Sequence, residues 1–396
     1  MIQDFTQNAH EINNAATKLQ SFYRGHISRK YNVFPTHFLN SSICGKINDF
    51  IQLNRARLCN VTSEFDEGRN FFIKWDKSNE VLSLLFPTKD AVGSGAWKKF
   101  FASNTIKIPL TEKKREIREF ESVWIEADHK TINEVGIQKF LYNKFTNDIP
   151  VGVYFLEPWE QIHQNIYSQR RLINKLDGVK FNDPFQKARY IRDIARNLAW
   201  MHKQGMIHGD VSLKNILLEE RVDNEGFPRL VSYLTDFGSA KSWGASQDRK
   251  FDDYVRWDPC KCFADINTPL TDWYGFIVTN ILAWFPEMTA HLKWENFISI
   301  RRMVFENESR GDFFPDAFYW TGPKCFQDLP LDQQQIWHLF ISICRKSAQL
   351  HLHFKDNLEE ISKEDVEQAM IEIKASEIIN QCLHFADMMC EQTKPL

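Results

Sequence analysis

Two short polar stretches between apolar runs contain side chains suited to phosphate and metal chemistry. IHGDVSLKNILL at residues 207–218 contains Asp210 and Asn215, and LVSYLTDFGSAK at 230–241 contains Asp236. Carboxylate and amide oxygens are ligands that Mg²⁺ accepts in small number, with phosphate oxygens completing its shell. A hydroxyl that attacks phosphorus also needs an acceptor for its proton. These residue types favour metal-assisted phosphoryl chemistry, whereas an ordinary polar turn is the alternative for either stretch alone.

The elements around the two stretches must position these side chains. Residues 183–205 are predicted as a helix, with Pro184 at its first position and Gly205 as its stop. The apolar runs NILLEE and LVSYL, which border the two stretches, are typical of strands. TDWYGFIVTNILAW at 271–284 is predicted as a further helix, with Thr271 as its N-cap.

Strand-like runs dominate before about residue 176, and helical patterns dominate after it. The predicted early strands are 69–75, 80–86, 97–103, 105–110, 149–156 and 170–176, and the predicted early helices are 111–127 and 132–145. This distribution indicates an α+β protein with a β-rich first lobe and a mainly helical second lobe. The predicted divisions are an N-terminal helix at 1–31, lobes at 32–176 and 177–350, and a C-terminal helical extension at 351–396.

Composition restricts the function classes. The chain has 396 residues, of which 43% are hydrophobic, which is enough for two lobes with substantial cores. A net charge of −3 implies no general affinity for nucleic acid. We find no apolar run long enough to span a membrane and no apolar leader sequence. Eight scattered cysteines favour reduced thiols, and hence a cytoplasmic location.

The order HGDVSLKN and then DFG resembles the catalytic and metal-binding loops of the protein-kinase-like superfamily, whose pattern is H-x-D-x-x-x-x-N followed by D-F-G. The resemblance implies a bilobal fold that uses ATP and Mg²⁺. Asp210 matches the catalytic base, and Asn215 and Asp236 match the ligands of Mg²⁺. Asp272 resembles the helix residue that supports the catalytic loop.

The resemblance also implies residues that contact the nucleotide. Gly93 and Gly95, in AVGSGAWKKFF at 91–101, match part of a glycine-rich phosphate loop, for which a plain hairpin turn is the alternative. RRLINKLDG resembles the strand and hinge where adenine binds. The implied adenine contacts are the backbone groups of Asn174, Lys175 and Leu176.

Lys107, in TIKI, is the lysine predicted to grip the α- and β-phosphates of ATP. This choice assumes that residues 97–103 and 105–110 form a hairpin that turns within FASNT and so places Lys107 opposite Lys98. An exposed strand lysine is the alternative interpretation. A helical glutamate should hold the lysine; Glu134 is favoured, and Glu121 is the alternative.

Several departures from the family pattern leave the acceptor open. Lys214 stands four residues after Asp210, a position where tyrosine kinases carry a basic residue that holds the transferring phosphate. Gly209 replaces the arginine that docks a phosphorylated activation loop, and HGD is also similar to small-molecule kinases. No A-P-E follows the DFG. The main prediction is a protein kinase; a small-molecule kinase, an AMP transferase and a pseudokinase scaffold are the alternatives.

KLQSFYRGHISRK at 18–30 is similar to the IQ motif, [ILV]-Q-x-x-x-[RK]-G-x-x-x-[RK]. Its fixed positions are filled by Leu19, Gln20, Arg24, Gly25 and Arg29. On a helix, Leu19, Phe22, Tyr23 and Ile27 form an apolar stripe with basic flanks. The resemblance implies binding to calmodulin, whose hydrophobic groove is ringed by acidic residues. A basic amphipathic helix that packs on its own domain is the alternative.

The composition, rich in Asn, Lys, Ile and Phe and with only 16 Gly, resembles that of chains from AT-rich bacterial genomes. Combined with an IQ motif, it suggests a bacterial effector kinase delivered into the cytosol of a eukaryotic host. A eukaryotic kinase regulated by calmodulin is the alternative.

Overall fold

The structure is a computed structural model. It describes residues 64–66, 71–76, 81–94, 99–109, 118–147, 150–163, 165–172, 174–175, 184–222, 228–243, 268–285, 288, 292, 294–322, 324–354 and 361–393. The predicted calmodulin segment at 18–30, together with Gly95 and Leu176, lies outside these residues.

The described chain divides into two compact units. The first contains the described residues up to 132 together with 157–171, and the second contains 133–156 and the described residues from 172 onward. The first is built on a β-sheet and the second mainly on helices, as the α+β prediction expected. The domain boundaries at residues 31, 176 and 350 stay predictions.

The first unit is a seven-stranded sheet in which each neighbouring pair of strands is antiparallel. Its strands are β1 (Glu64–Asp66), β2 (Phe71–Asp76), β3 (Val81–Ser94), β4 (Lys99–Pro109), β5 (Arg118–Glu126), β6 (Glu160–His163) and β7 (Ile166–Arg170). They lie in the order β1-β2-β3-β4-β5-β7-β6. Four strands, β3, β4, β5 and β7, lie between β2 and β6 in this sheet. Because Lys74 of β2 nevertheless forms an ion pair with Glu160 of β6, the sheet is strongly curled.

Two expectations for this unit were wrong. Residues 97–103 and 105–110 do not form a hairpin, because β4 runs without interruption through the stretch that was expected to turn. The polar residues there are buried: the hydroxyls of Ser103 and Thr105 lie 2.7 and 2.8 Å from the hydroxyl of Ser122 on β5. A polar run thus belongs to a strand interior when a neighbouring strand supplies hydrogen-bond partners.

The predicted helix at 111–127 is instead β5 over its described part. Its charged first half favoured a helix, but VWI is a β-branched and aromatic run, and sheet packing outweighs the weak local preference. Residues 149–156 were expected to form a strand, but residues 151 and 152 form a turn and residues 153–156 have no regular secondary structure. There Gly152 has φ +74°.

The second unit contains most of the helices. They are α1 (His129–Asn147, which begins in the first unit), α2 (Pro184–Lys203), α3 (Pro269–Trp284), α4 (Trp294–Arg310), α5 (Leu331–Phe354), α6 (Lys363–Glu372) and α7 (Ala375–Gln392). A three-stranded sheet has the order β11-β10-β8, and a two-stranded sheet pairs β9 with β12. These strands are β8 (Asn174–Lys175), β9 (Met206–Ile207), β10 (Ile216–Val222), β11 (Pro228–Leu234) and β12 (Lys241–Ser242).

The core of the second unit forms around α2, α3 and α5. The side chains of Trp273 and Trp337 are fully buried there, within one apolar cluster that includes residues of all three helices. The expected helix 183–205 is confirmed as α2, and the residue after its final turn, Gly205, has φ +76°. The N-cap of α3 is Thr268 rather than Thr271, because Pro269 occupies the first helical turn, where a missing N–H costs nothing. None of the helices in the described residues is long and apolar enough to cross a membrane.

Candidate active site

The HGD and DFG stretches are adjacent in the second unit because both connect to the same pair of short strands. The first stretch follows β9 and the second leads into β12, and Ile207 pairs with Lys241 across the two strands. A hydrogen bond also connects the two stretches: His208 Nε2 lies 3.0 Å from the backbone oxygen of Thr235, the residue immediately before Asp236. HGD and DFG, which have 25 residues between them in the sequence, therefore form one site.

Asp272 near the start of α3 anchors the loop. Its Oδ2 accepts a hydrogen bond from the backbone N–H of His208 at 2.7 Å, and its Oδ1 accepts one from Gly209 at 2.8 Å. His202 Nε2 lies 2.9 Å from Oδ2. The Asp272 side chain is fully buried. A buried carboxylate needs such donors, so the loop geometry is fixed through its own backbone.

Close packing of α3 completes the anchor. A Cβ atom at Gly275 would lie 2.9 Å from the backbone oxygen of Val211, which is why the helix can approach the loop so closely. Thr279 donates a hydrogen bond to the same oxygen at 3.4 Å. The expectation that this helix supports the loop thus agrees with the observed contacts.

Asp210 and Asn215 are in direct contact. The side-chain N–H₂ of Asn215 donates to Asp210 Oδ2 at 2.8 Å and to the Asp210 backbone oxygen at 2.9 Å. Asn215 is buried, and its own backbone oxygen accepts hydrogen bonds from the N–H and hydroxyl of Thr235. Because both amide hydrogens are directed at Asp210, the Asn215 Oδ1 atom is the one able to bind a cation.

Asp236 has a left-handed backbone conformation, with φ 64° and ψ 67°. Such a conformation is uncommon outside glycine, is tolerated best by Asn and Asp, and is concentrated at functional sites. The next residue, Phe237, is buried and packs against the rings of Phe155 and His208, with centroids 5.6 and 5.2 Å away. The buried phenylalanine fixes the position of the neighbouring carboxylate.

The backbone conformation and close surroundings of Gly209 explain why a glycine stands between His208 and Asp210. Gly209 has φ +77°, and a Cβ atom there would lie 2.6 Å from the backbone oxygen of Ser239. A side chain is excluded by backbone conformation and by space, so an arginine could not occupy this position without moving the loop.

Glu134 of α1, favoured as the helical glutamate, also belongs to the second unit. It is buried, and its Oε2 lies 3.8 Å from the position a Cβ would take on Gly238, where Asp236 Oδ1 lies at 3.3 Å. The alternative, Glu121, is on strand β5 and pairs with Arg171 at 3.3 Å. Of the two candidates, only Glu134 lies on a helix.

Lys107 lies in the first unit, where its Nζ pairs with Glu160 Oε2 at 2.8 Å. Lys74 Nζ pairs with the other oxygen of Glu160 at 3.1 Å. Burial raises the pKa of the Glu160 carboxyl, but the charges and hydrogen bonds of the two lysines outweigh burial, so the pKa is lowered from the ordinary 4.5. We call Lys74, Glu160 and Lys107 the lysine cluster.

Lys107 was predicted to contact phosphate because a hairpin would place it opposite Lys98, and the strand register shows no such pairing. Lys107 pairs with Ser83, whereas Lys99 at the other end of β4 pairs with Ser94, next to Gly93. Eight residues of strand, or about 26 Å, separate Lys107 from the β3–β4 connection. The structure does not bring Lys107 and Gly93 together, and a phosphate role for Lys107 stays a prediction without that support.

The remaining predicted residues are placed as follows. Lys214 is exposed in a short 3₁₀ turn, Leu213–Asn215. Asn174 and Lys175 form β8, which pairs with Leu217 and Leu218 of β10 in the second unit. Sequence reasoning missed Glu160, because nothing local marks a carboxylate whose partners lie 53 and 86 residues earlier in the chain.

The oxygen donors of Asp236 and Asn215 fit Mg²⁺, which is usually held by one or two protein ligands together with substrate phosphates. The described residues contain no group of three or more His, Cys, Asp or Glu side chains able to hold a metal alone. Mg²⁺ held by so few protein ligands completes its shell with phosphate oxygens and water.

Comparison with known proteins agrees with this geometry. A family model described as protein tyrosine and serine/threonine kinase matches residues 184–281, and the model of the IQ calmodulin-binding motif matches 13–31. The chain is 28% identical over 173 residues to Protein kinase gsk3 of Schizosaccharomyces pombe, covering 41% of each chain. It is 27% identical over 173 residues to Glycogen synthase kinase 1 of Pyricularia oryzae, covering 41% of this chain and 40% of that protein.

A third relative is EKC/KEOPS complex subunit bud32 of Emericella nidulans, 30% identical over 118 residues, covering 27% of this chain and 40% of that protein. The chain thus spans about two fifths of the length of these curated relatives. All three are fungal proteins, and these matches give no support to a bacterial effector origin. The matched residues 184–281 contain the loop, its Asp272 anchor and the DFG turn, so this part of the chain is similar to the kinase family, and residues 13–31 match the IQ motif.

Proposed function

We propose that this chain is an ATP- and Mg²⁺-dependent phosphotransferase that acts as a protein kinase and is bound and regulated by calmodulin. The observation that carries the proposal is the contact between Asp210 and Asn215 on a loop joined through Thr235 to Asp236. One acid beside an amide, next to a second acid, is the donor set needed to accept a proton and hold a phosphate-bound cation.

In the proposed reaction Asp210 accepts the proton of the acceptor hydroxyl. The Asn215 amide holds the Asp210 carboxylate in place through Oδ2, and Asp272 holds the loop backbone. Mg²⁺, when bound with ATP, neutralises charge on the phosphates; Asp236 and Asn215 Oδ1 are its proposed ligands. Lys214 supplies a positive charge for the transferring phosphate. Such positioning and charge neutralisation supply most of the rate enhancement in this reaction class.

ATP turnover with and without calmodulin tests the proposal. Asp210→Asn should lower kcat by about 10²–10⁴-fold because the proton acceptor is lost. Asp236→Ala should reduce turnover at least as much, while Asp328→Asn, on an exposed 3₁₀ turn, serves as the matched control. Turnover by Asp236→Ala at the rate of the wild type would contradict the assigned role, and ATP·Mg²⁺ binding without turnover would favour a scaffold.

The role of Lys107 can be separated from that of its neighbour. Lys107→Met and Lys74→Met both remove one partner of Glu160. If Lys107 grips phosphate, only Lys107→Met lowers kcat/KM for ATP. If the two variants lower it equally, Lys107 acts on the sheet rather than on the nucleotide.

A small-molecule acceptor is the second candidate. The glycine at position 209 supports it, because this residue leaves no arginine to dock a phosphorylated activation loop. Mass spectrometry of protein and metabolite fractions incubated with ATP distinguishes a phosphorylated protein from a phosphorylated small molecule, and either from an adenylylated product.

A further inference from the structure

Helix α6, near the C-terminus, contacts the strand pair that carries the candidate active site. Its first residue is Lys363, whose Nζ lies 5.8 Å from the centre of the Trp243 ring. The same side chain covers Gly205, because a Cβ atom built on Gly205 would lie 3.4 Å from both Cε and Nζ of Lys363. Gly205 immediately precedes β9, and Trp243 immediately follows β12. One lysine therefore touches both chain segments at the end of the pair that is remote from HGD and DFG.

The strand pair is short. β9 and β12 contribute two residues each and form two register pairs. Beyond the strands, the backbone N–H of Trp243 donates to the backbone oxygen of Gly205 at 3.3 Å. A two-stranded ladder is marginal on its own, because few hydrogen bonds oppose the entropy lost when the chain is ordered. Support at its outer end therefore bears on the two stretches that continue from its inner end.

Helix α6 holds Lys363 in a fixed place. Its N-cap, Ser362, forms a capping box with Asp365: Asp365 N–H donates to Ser362 Oγ at 3.1 Å, and Ser362 N–H donates to Asp365 Oδ2 at 2.9 Å. In the following turns, Val366 and Ala369 are fully buried in the apolar cluster of the second unit. Because rotation of the helix would expose these side chains, the direction in which Lys363 leaves α6 is set by the core.

A lysine in the first turn of a helix is locally unfavourable. The helix dipole favours acids there, and Glu364 and Asp365 follow that preference. Lys363 pairs with Glu367 one turn later at 3.3 Å, but both side chains are 44% exposed, and Lys before Glu is the weaker order for such a pair. A residue that breaks a local rule indicates a gain elsewhere, and the contacts of Lys363 outside α6 are with Trp243 and Gly205.

The Trp243 ring is suited to a cation. An ammonium within about 6 Å of an indole ring is attracted to the negative face of that ring. The Nε1 atom of Trp243 is buried and has no hydrogen-bond acceptor among the described residues. Since no polar contact of that atom orients the indole, packing and the ammonium of Lys363 are left to hold it.

We propose that Lys363 is a positioning residue for the candidate active site: through Trp243 and Gly205 it holds the β9–β12 pair, and with it the HGD loop and the DFG turn. The inference rests on the proposed phosphotransferase function and names a part of the C-terminal helices that supports it. Lys363 touches no reacting group. Its influence on Asp210 and Asp236 passes through the strand pair to which both stretches connect.

Turnover by full-length variants tests the inference. Lys363→Met keeps the helix propensity but removes the cation, and kcat should fall about tenfold because the two loops lose their alignment. Lys363→Arg should keep kcat within about twofold of the wild type, since a guanidinium also stacks on aromatic rings. Lys203→Met, at an exposed lysine of α2 close to Gly205, is the matched control and should turn over ATP as the wild type does.

Two further variants separate positioning from a purely structural role. Glu367→Gln removes the ion pair within α6 and leaves the contact with Trp243, so kcat should be unchanged. Trp243→Leu should lower kcat at least as far as Lys363→Met, and adding Lys363→Met to it should lower kcat no further, because both changes remove one contact. The inference is overturned if Lys363→Met loses unfolding free energy at unchanged kcat, or if Glu367→Gln reproduces its fall in kcat.

Failure of the proposed function has a different signature. In that case the wild type turns over no ATP with any acceptor, and amide hydrogen exchange replaces kcat as the readout. Lys363→Met should then increase exchange at residues 205–210 and 240–243 relative to the wild type, and Lys203→Met should not. Unchanged exchange in Lys363→Met overturns the inference whether or not ATP is turned over.

Discussion

Two carboxylates, one in each unit, are each surrounded by hydrogen-bond donors, but they are held in opposite ways. Asp272 is fully buried and accepts two backbone N–H groups from the loop before Asp210. Glu160 has a side chain that is 24% exposed and pairs with the flexible ammonium groups of Lys74 and Lys107. The first arrangement fixes a backbone, and the second joins side chains across a curled sheet.

The difference shows what each arrangement can contribute. Backbone donors deprived of a buried acceptor cannot turn to water, so their loss costs the full desolvation penalty. Lysines at a partly exposed site can turn to solvent, and salt screens their attraction to the carboxylate. We therefore expect substitutions at Asp272 to have a far larger effect than substitutions at Glu160.

The largest effect is expected for Asp272→Ala. The change leaves two buried backbone N–H groups and His202 without their acceptor, so the free energy of unfolding should fall by about 3–5 kcal/mol. Denaturant unfolding followed by the intrinsic fluorescence of the chain's 12 tryptophans measures the loss. Asp387→Ala, which breaks an ion pair between Arg196 and the 44% exposed side chain of Asp387, is the control and should cost below about 1 kcal/mol. Similar losses for the two variants would remove the distinction drawn between buried backbone anchors and exposed pairs.

Gly209→Ala should have the second largest effect. The variant incurs both a left-handed backbone conformation and a clash with the Ser239 oxygen 2.6 Å away. Gly311→Ala is a matched control, because Gly311 has φ +71° and no atom within 4 Å of its added Cβ. The control should lose about 1 kcal/mol of unfolding free energy, and Gly209→Ala about 1–3 kcal/mol more. Equal losses would mean that the loop moves away from Ser239 at no cost.

Part of this site could be predicted from the sequence, because its determinants are local. The residues of HGDVSLKN lie within one short loop, and α2 before it has an amphipathic pattern with Pro184 at its start and Gly205 after its end. The order of the two motifs therefore predicted the neighbourhood of Asp210, Asn215 and Asp236. The N-cap of α3 was misplaced by three residues, since Thr268 and Thr271 are equally good caps and Pro269 decides between them.

The first unit could be predicted less well, because its determinants are distant in sequence. Ser103 and Thr105 resemble turn residues until Ser122 is placed beside them. The charged stretch that precedes β5 favours a helix, and only pairing with β4 and β7 makes residues 118–126 a strand. The prediction that Lys107 contacts phosphate depended on a hairpin within residues 97–110. The structure has one continuous strand, β4, over Lys99–Pro109 instead, so it does not support that argument.

The smallest effect is expected for Glu160→Gln, and it should depend on pH. The pKa of Glu160 is lowered in the folded chain, so its ionised form stabilises the fold at pH values above the ordinary 4.5 and this contribution disappears as pH falls through the lowered value. Near neutral pH the variant should lose about 1 kcal/mol or less of unfolding free energy, because the lysine cluster is partly exposed. At the acidic end of the titration wild type and variant should become equally stable.

Glu121→Gln provides the matched control, since Glu121 pairs with Arg171 at 3.3 Å and its side chain is 38% exposed. The single ion pair between Glu121 and Arg171 should contribute less to the free energy of unfolding than the two ion pairs of Glu160 with Lys74 and Lys107. High salt should reduce the difference between wild type and Glu160→Gln, because ions screen an attraction that is open to solvent. A loss at Glu160 that is as large as at Asp272 and insensitive to salt would show instead that the lysine cluster fixes the curled sheet as rigidly as the buried carboxylate fixes the loop.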